Sequence, residues 1–220
     1  MVIIKWHGHA CFELKDSEGF TVVIDPHDGS SLGLATPDVQ ADAILITHDH
    51  FDHNAYQVVF KPGAEIYRMK EGEFTIGGKY KAKGVMAYHD KFKGRRRGPV
   101  IMYKLEFEGL NILHVGDLGH ALSSDIINML KPVDILMVPV GGTFTLDSKE
   151  AYDLTKELKP KAVLPMHYWI PGINLPLSPV DHFLKLQEWG VIELDENEWS
   201  IMADDLNNWS ETKTVVFKLF

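Results

Sequence analysis

The chain has 220 residues, 45% of them hydrophobic and 24% charged, with a formal net charge of −9. That size suits one large α/β domain over residues 1–220, and the acidic balance disfavours a nucleic-acid or anionic-membrane surface. Cys11 is the single cysteine, so no intrachain disulfide forms and any metal site has to be built from His, Asp and Glu.

Val2–Trp6, Ala10–Leu14 and Phe20–Asp25 read as strands, with a hairpin turn at Asp16-Ser17-Glu18-Gly19. Met1–Trp6 lacks the pattern of a signal peptide, and no window approaches a membrane span, so the expected location is cytoplasmic. Residues 26–42 are loop-like, and the apolar run Ala43–Thr47 predicts a buried strand. Ile66–Met69, Phe74–Ile76 and Tyr80–Tyr88 follow as strands, and Tyr103–Phe107 and Leu110–Val115 flank a hairpin signal at Glu108-Gly109. After Asp117 helices alternate with strands. Ser123 caps a helix through Leu130, and Asp134–Val138 is a strand. Asp147 with Glu150 forms a capping-box pattern for a helix to Leu158. Ala162–Pro165 is a short strand, Ser178-Pro179 opens a helix to about Trp189, and Thr214–Leu219 closes the chain as a strand. Strand-rich stretches with exposed helices predict two sheets packed face to face, helices outside.

The segment His48-Asp49-His50-Phe51-Asp52-His53 packs three imidazoles and two carboxylates into six positions after the Ala43–Thr47 strand. Imidazole and carboxylate are the usual ligands of zinc and its neighbours. Just past a strand end His48 and His50 can point the same way, while Asp52 and His53 reach a different point around a turn. That is a geometry for two adjacent metal ions, which activate water at neutral pH. His89, Asp117 and His167 each follow a predicted strand, where sites are commonly assembled on a rigid scaffold. Singly, each is an ordinary packing or turn residue; beside the cluster they complete a ligand set.

In this order the motifs resemble those of the metallo-β-lactamase superfamily, over nearly the whole chain. The resemblance implies a four-layer αββα sandwich, two mixed sheets with helices on the outer faces, and a dinuclear site at one edge. By it, His48, His50 and His89 bind one divalent metal, Asp52, His53 and His167 bind a second, and Asp117 bridges them. Zinc suits the His-rich set, as do manganese and iron. Within the superfamily, Trp6-His7-Gly8-His9, Ile24-Asp25-Pro26, Gly116-Asp117-Leu118-Gly119-His120, Val138-Pro139-Val140-Gly141-Gly142 and Pro165-Met166-His167-Tyr168 resemble the L-ascorbate-6-phosphate lactonase-like group. N-acyl-phosphatidylethanolamine phospholipase D proteins share several of these motifs. The same resemblance has Asp25 hold a ligand imidazole; an Asp-Pro turn is the plainer reading.

The implied activity is hydrolysis of a small, anionic ester, lactone or phosphodiester by a hydroxide bridging two metals. Asp52 would also orient the nucleophile, and His120 or solvent would protonate the leaving group. Asp49 is read as a turn-forming or supporting residue. His7 and His9 either contact substrate or satisfy loop backbone, and Tyr168 is grouped with the substrate contacts. The basic run Lys91, Lys93, Arg95, Arg96, Arg97 is either a solvated loop or an anion-binding rim. Only 49 residues separate Asp117 from His167, too few for the inserted domain of the nuclease branch, and the stretch after His167 lacks the extension of glyoxalase II. The expected partner is a small molecule, and oligomeric state is not legible. A redox member of the fold and a non-catalytic metal-binding module are the alternatives.

Overall fold

A computed structural model describes residues 1–219. The chain begins with β1 (Val2–Trp6), β2 (Phe12–Lys15), β3 (Thr21–Ile24), β4 (Ala41–Ile46) and β5 (Phe60–Arg68). It continues through β6 (Gly72–Ile76), β7 (Tyr80–Tyr88), β8 (Pro99–Phe107), β9 (Leu110–His114), α1 (Ser124–Leu130) and β10 (Ile135–Pro139). Then come α2 (Ser148–Leu158), β11 (Ala162–Met166), α3 (Asp181–Leu184), β12 (Gly190–Glu193), β13 (Glu198–Ile201), α4 (Ala203–Asn207) and β14 (Lys213–Val216).

Two sheets result, a six-stranded one ordered β13-β1-β2-β3-β4-β5 and an eight-stranded one ordered β12-β14-β11-β10-β9-β8-β7-β6. Both are mixed. In the first, β3, β4 and β5 pair in parallel beside antiparallel β1–β3; in the second, β9, β10, β11 and β14 are parallel beside the β6–β9 meander. This is the expected pair of mixed sheets. Ile4, Phe12 and Leu45 of the first share one apolar cluster with Leu105, Leu113 and Val138 of the second.

The strand β4 shows why its sequence is apolar without alternation. Side chains alternate across a strand; Ala43 and Leu45 join the central cluster, while Ile44 and Ile46 join a smaller one with Cys11, Val23 and Val59. Both faces of β4 are therefore buried. Val39 and Tyr56 close the smaller cluster, with Tyr56 in a short 3-10 turn rather than an α-helix. The α2 capping box forms as read: Glu150 N–H donates to Asp147 Oδ1 at 2.9 Å, and Asp147 N–H to Glu150 Oε2 at 3.1 Å.

Several boundaries differ from expectation. The strand predicted at Ile66–Met69 begins at Phe60 and passes through Pro62 and Gly63, which is tolerated because β5 is the edge of its sheet. Ser178-Pro179 does not open a helix. Ser178 O accepts from Trp169 N–H at 2.9 Å, Ser178 N–H donates to Gly141 O at 2.8 Å, and Pro179 bridges Trp169 in extended pairing. The helix there is only Asp181–Leu184, preceded by Val180 without a side-chain cap. Short β12, β13 and α4 carry too little periodicity to be read from sequence. No described helix is long and apolar enough to cross a membrane.

Candidate metal centre

Five strands of the two sheets end at one edge of the sandwich, and each delivers one part of the site. Past β3 comes Asp25, past β4 the His48–His53 segment, past β7 His89, past β9 Asp117 and past β11 His167. Ligands commonly bind outside the carboxyl ends of such strands. Two glycines let backbones close around His89 and His167. A Cβ on Gly119 would lie 2.5 Å from the His89 carbonyl carbon, and one on Gly141 would lie 2.2 Å from the His167 oxygen. No side chain fits at either position.

The structure brings together all seven residues of the expected ligand set. Ligand atoms of His48, His50 and His89 form one group within 4.8 Å of one another, and those of His9, Asp52, His53 and His167 form another. Asp117 lies between the two. Its Oδ2 is 3.1 Å from His89 Nε2, 3.2 Å from His167 Nε2, 3.3 Å from His53 Nε2 and 3.7 Å from His48 Nε2.

Two of these imidazoles are oriented from behind. Asp25 is fully buried; its Oδ1 accepts from Thr47 N–H at 2.7 Å, and its Oδ2 accepts from the Thr47 hydroxyl at 2.6 Å and from His53 Nδ1–H at 2.9 Å. With its one proton given to Asp25, the Thr47 oxygen accepts from His48 Nδ1–H at 2.9 Å. Both rings are thus oriented with Nε2 toward Asp117. Thr47 was not singled out in the sequence, because a threonine ending a β-branched run looks like strand.

Burial opposes ionisation of Asp117, but His167 and His53 beside it hold the carboxyl well below the usual range. Burial likewise opposes charge on Asp52, and His53 together with the His9 hydrogen bond overcomes it. His48 is pushed down to about 3 by burial and then by His53. His53 is the exception. Burial works against its charge, yet Asp117, Asp52 and Asp25 raise it well above an ordinary histidine, so cation binding there would release a proton.

The donor set fits divalent metal. His48 Nε2, His53 Nε2 and Asp117 Oδ1 are buried without a hydrogen-bond partner, which is costly unless a cation satisfies them. The adjoining cavity of about 260 Å³ is reached past Phe51, Phe144, Leu175 and Arg97.

The other expected residues fall in different places. His9 is fully buried and cannot touch substrate; it binds Asp52, Nε2 to Oδ2 at 3.1 Å. His7 also leaves the substrate list, since it pairs with Glu13 at 2.8 Å and lines a separate cavity with Lys5 and Asn197. Tyr168 is buried with its ring stacked on Trp6 at 5.2 Å, a core contact. His120 has no free nitrogen for proton donation: Nε2 accepts from Tyr88 N–H at 3.1 Å and Nδ1–H donates to Ala121 O at 2.8 Å. It faces a cavity with Leu122 and Glu157, away from the metal pocket. Asp49 is exposed and bonds Asn54 and Arg68. Arg95 is exposed and lines neither cavity beside the site, whereas Arg97 lines the metal pocket and, with Arg96, a neighbouring cleft of about 510 Å³. The guanidinium of Arg97 lies 4.5 Å from the Phe144 centroid and that of Arg96 3.9 Å from Phe92. The loop that carries them is wound around Asp90, which accepts the N–H groups of Phe92, Gly94, Arg96 and Arg97 at 2.7–3.0 Å.

Comparison with known proteins places this geometry among relatives. Residues 3–167 match the Beta-lactamase superfamily domain. A UPF0173 metal-dependent hydrolase of Thermococcus onnurineus is 35% identical over 197 residues, 78% of this chain and 87% of that protein. Another, of Thermoplasma volcanium, is 32% identical over 189 residues, 76% of this chain and 83% of the relative. A crystal structure from Thermotoga maritima, assigned as a Zn-dependent hydrolase of the metallo-β-lactamase superfamily, superposes with a TM-score of 0.79 at 33% identity over the whole of both chains. CmlA, a diiron β-hydroxylase from Streptomyces venezuelae, gives 0.65 at 12% identity, covering 98% of this chain and 53% of CmlA, a likeness of fold alone.

Proposed function

The chain belongs to the metallo-β-lactamase superfamily and, within it, to the UPF0173 metal-dependent hydrolases, and from that premise we propose a dinuclear metal-dependent hydrolase acting on a small anionic ester, lactone or phosphodiester. The observation that carries the reading is the ring of buried imidazole nitrogens around Asp117, with His48 Nε2, His53 Nε2 and Asp117 Oδ1 all unpartnered. His48, His50 and His89 would hold one divalent cation, Asp52, His53 and His167 a second, and Asp117 both. Zinc suits the donor set best, with manganese or iron as alternatives. Bound there, the metals would supply Lewis acidity and an activated water at neutral pH.

The protein's own groups prepare that chemistry. Asp25 and Thr47 fix the ring orientations of His53 and His48 before any metal arrives, which is the usual duty of outer partners. Asp52 stays ionised and faces the pocket, where it can orient the attacking water. Phe51, Phe144 and Leu175 form apolar walls around the cavity, and apolar walls strengthen the electrostatics inside. Solvent protonates the leaving group, since both nitrogens of His120 are engaged. Arg97 at the pocket rim and Arg96 beside it support an anionic substrate. Likeness of the Trp6–His9 and Gly116–His120 segments to the ascorbate-phosphate lactonase group supports including lactones.

The test is metal content and turnover together. Asp117→Ala and His50→Ala should each lose bound metal by elemental analysis, and hydrolysis of a mixed ester, lactone and phosphodiester panel should fall by at least about 100-fold, the upper range for losing even an outer partner. Full turnover by either variant would sink the reading.

A further inference from the structure

We propose that His9 is a positioning residue that holds Asp52 by an Nε2–H hydrogen bond, and that the loop carrying it is braced between both sheets for that purpose. The proposal rests on the reading of Asp52 as a metal ligand.

His9 is fully buried, its ring 4.1 Å from that of His167 and 5.1 Å from that of His53. Its Nε2 contacts Asp52 Oδ2 at 3.1 Å, and its Nδ1 is buried with no partner. A neutral imidazole carries one N–H, and an orphaned buried N–H is rarer than an orphaned acceptor. The proton therefore sits on Nε2 and is donated to Asp52, leaving Nδ1 as a bare lone pair. One Asp52 oxygen is fixed this way, and with it the rotamer of the carboxylate.

The backbone around His9 is held with unusual completeness. His9 itself adopts φ 52°, a conformation non-glycine residues rarely take. Its carbonyl accepts from Trp6 Nε1–H at 3.1 Å and from His167 N–H at 3.0 Å. The His7 carbonyl accepts from His27 Nε2–H at 3.0 Å, and the Ala10 carbonyl from His114 Nε2–H at 2.9 Å. In each of these two histidines Nδ1 accepts a backbone N–H two residues on, from Gly29 at 3.0 Å and from Gly116 at 3.1 Å. Those bonds fix the tautomer that points a proton at the loop. His27 lies just past Asp25, and His114 three residues before Asp117. The loop is thus tied to the segments that carry Asp25, Asp117 and His167, and His9 transmits that rigidity to Asp52.

His9→Leu removes the donor at similar volume, and His9→Gln places an amide N–H where Nε2–H was. Zn²⁺ binding is titrated on the metal-free protein with a competing chelator, and Co²⁺ is used to read the visible spectrum of each equivalent. Wild type should take up two equivalents. His9→Leu should keep the first and weaken the second by about 10- to 100-fold, with an altered spectrum for the second Co²⁺; His9→Gln should restore both to within a few-fold. The proposal is overturned if folded His9→Leu binds two equivalents with wild-type affinities and spectra, or if His9→Gln is as impaired as His9→Leu, which would make His9 a ligand through its lone pair. A wild type that takes up a single equivalent overturns the dinuclear reading itself, and the His9 role with it.

Discussion

The proposed metal centre and the brace beside it are built from the same side chain, and they differ in how its two nitrogens are used. In the brace, His27 and His114 each donate through Nε2 and accept through Nδ1, with no valence left over. In the centre, His48 and His53 are held through Nδ1 alone, and their Nε2 atoms are buried without a partner. Burial is complete or nearly so in all four. What separates His48 and His53 from His27 and His114 is the unsatisfied Nε2, because a buried polar atom without a partner is costly unless something binds it.

The severest loss is expected where the backbone meets the centre. Gly141→Ala puts a methyl 2.2 Å from the His167 carbonyl oxygen, which can move only by shifting His167. Expected are upwards of about 3 kcal/mol of lost stability in denaturant titration and a loss of bound metal; a variant matching wild type in both would show that the strand end has slack.

The brace responds to pH. Burial pushes His27 down to about 4 from an ordinary 6.5, so the unfolded chain binds more protons than the fold between those values. Stability from this residue is full above pH 6.5 and is lost as pH falls toward 4, by at most about 3 kcal/mol. His27→Gln should therefore be less stable than wild type at pH 7, with the gap narrowing as pH falls to 4 in thermal unfolding of the metal-free proteins. A gap independent of pH would mean that His27 takes up its proton equally in the folded and unfolded chains. His53, raised rather than lowered, works with the opposite sign in both metal-free proteins and cancels in their difference.

The smallest effect is expected at the rim. Arg97→Ala should raise KM for mono(4-nitrophenyl) glutarate about tenfold, the order of one charged hydrogen bond, and leave 4-nitrophenyl butyrate unchanged. Arg95→Ala, which removes an exposed cation outside both cavities, should change neither. Equal effects of the two substitutions would reduce the rim to a diffuse charge.

Much of this was legible along the chain. Helix α2 was readable because its capping box is local, and β4 because a run buried on both faces has no polar interruption. Edge strand β5 was not, since Pro62 and Gly63 are read as breakers when the sheet position is unknown. The candidate ligand residues stood out by type and by their place after strands, because metal binding restricts donors to a few side chains at fixed local spacings. Which other histidines share the site was settled by tertiary structure alone. His9, His27, His114 and His120 differ in role only through partners far away in sequence, from Ala10 facing His114 to Tyr88 facing His120. Sequence spacing constrains atoms a few residues apart, whereas the partner each ring nitrogen finds is a property of the packed neighbourhood, and a buried imidazole with both nitrogens engaged, like His27 or His114, has none left for a metal.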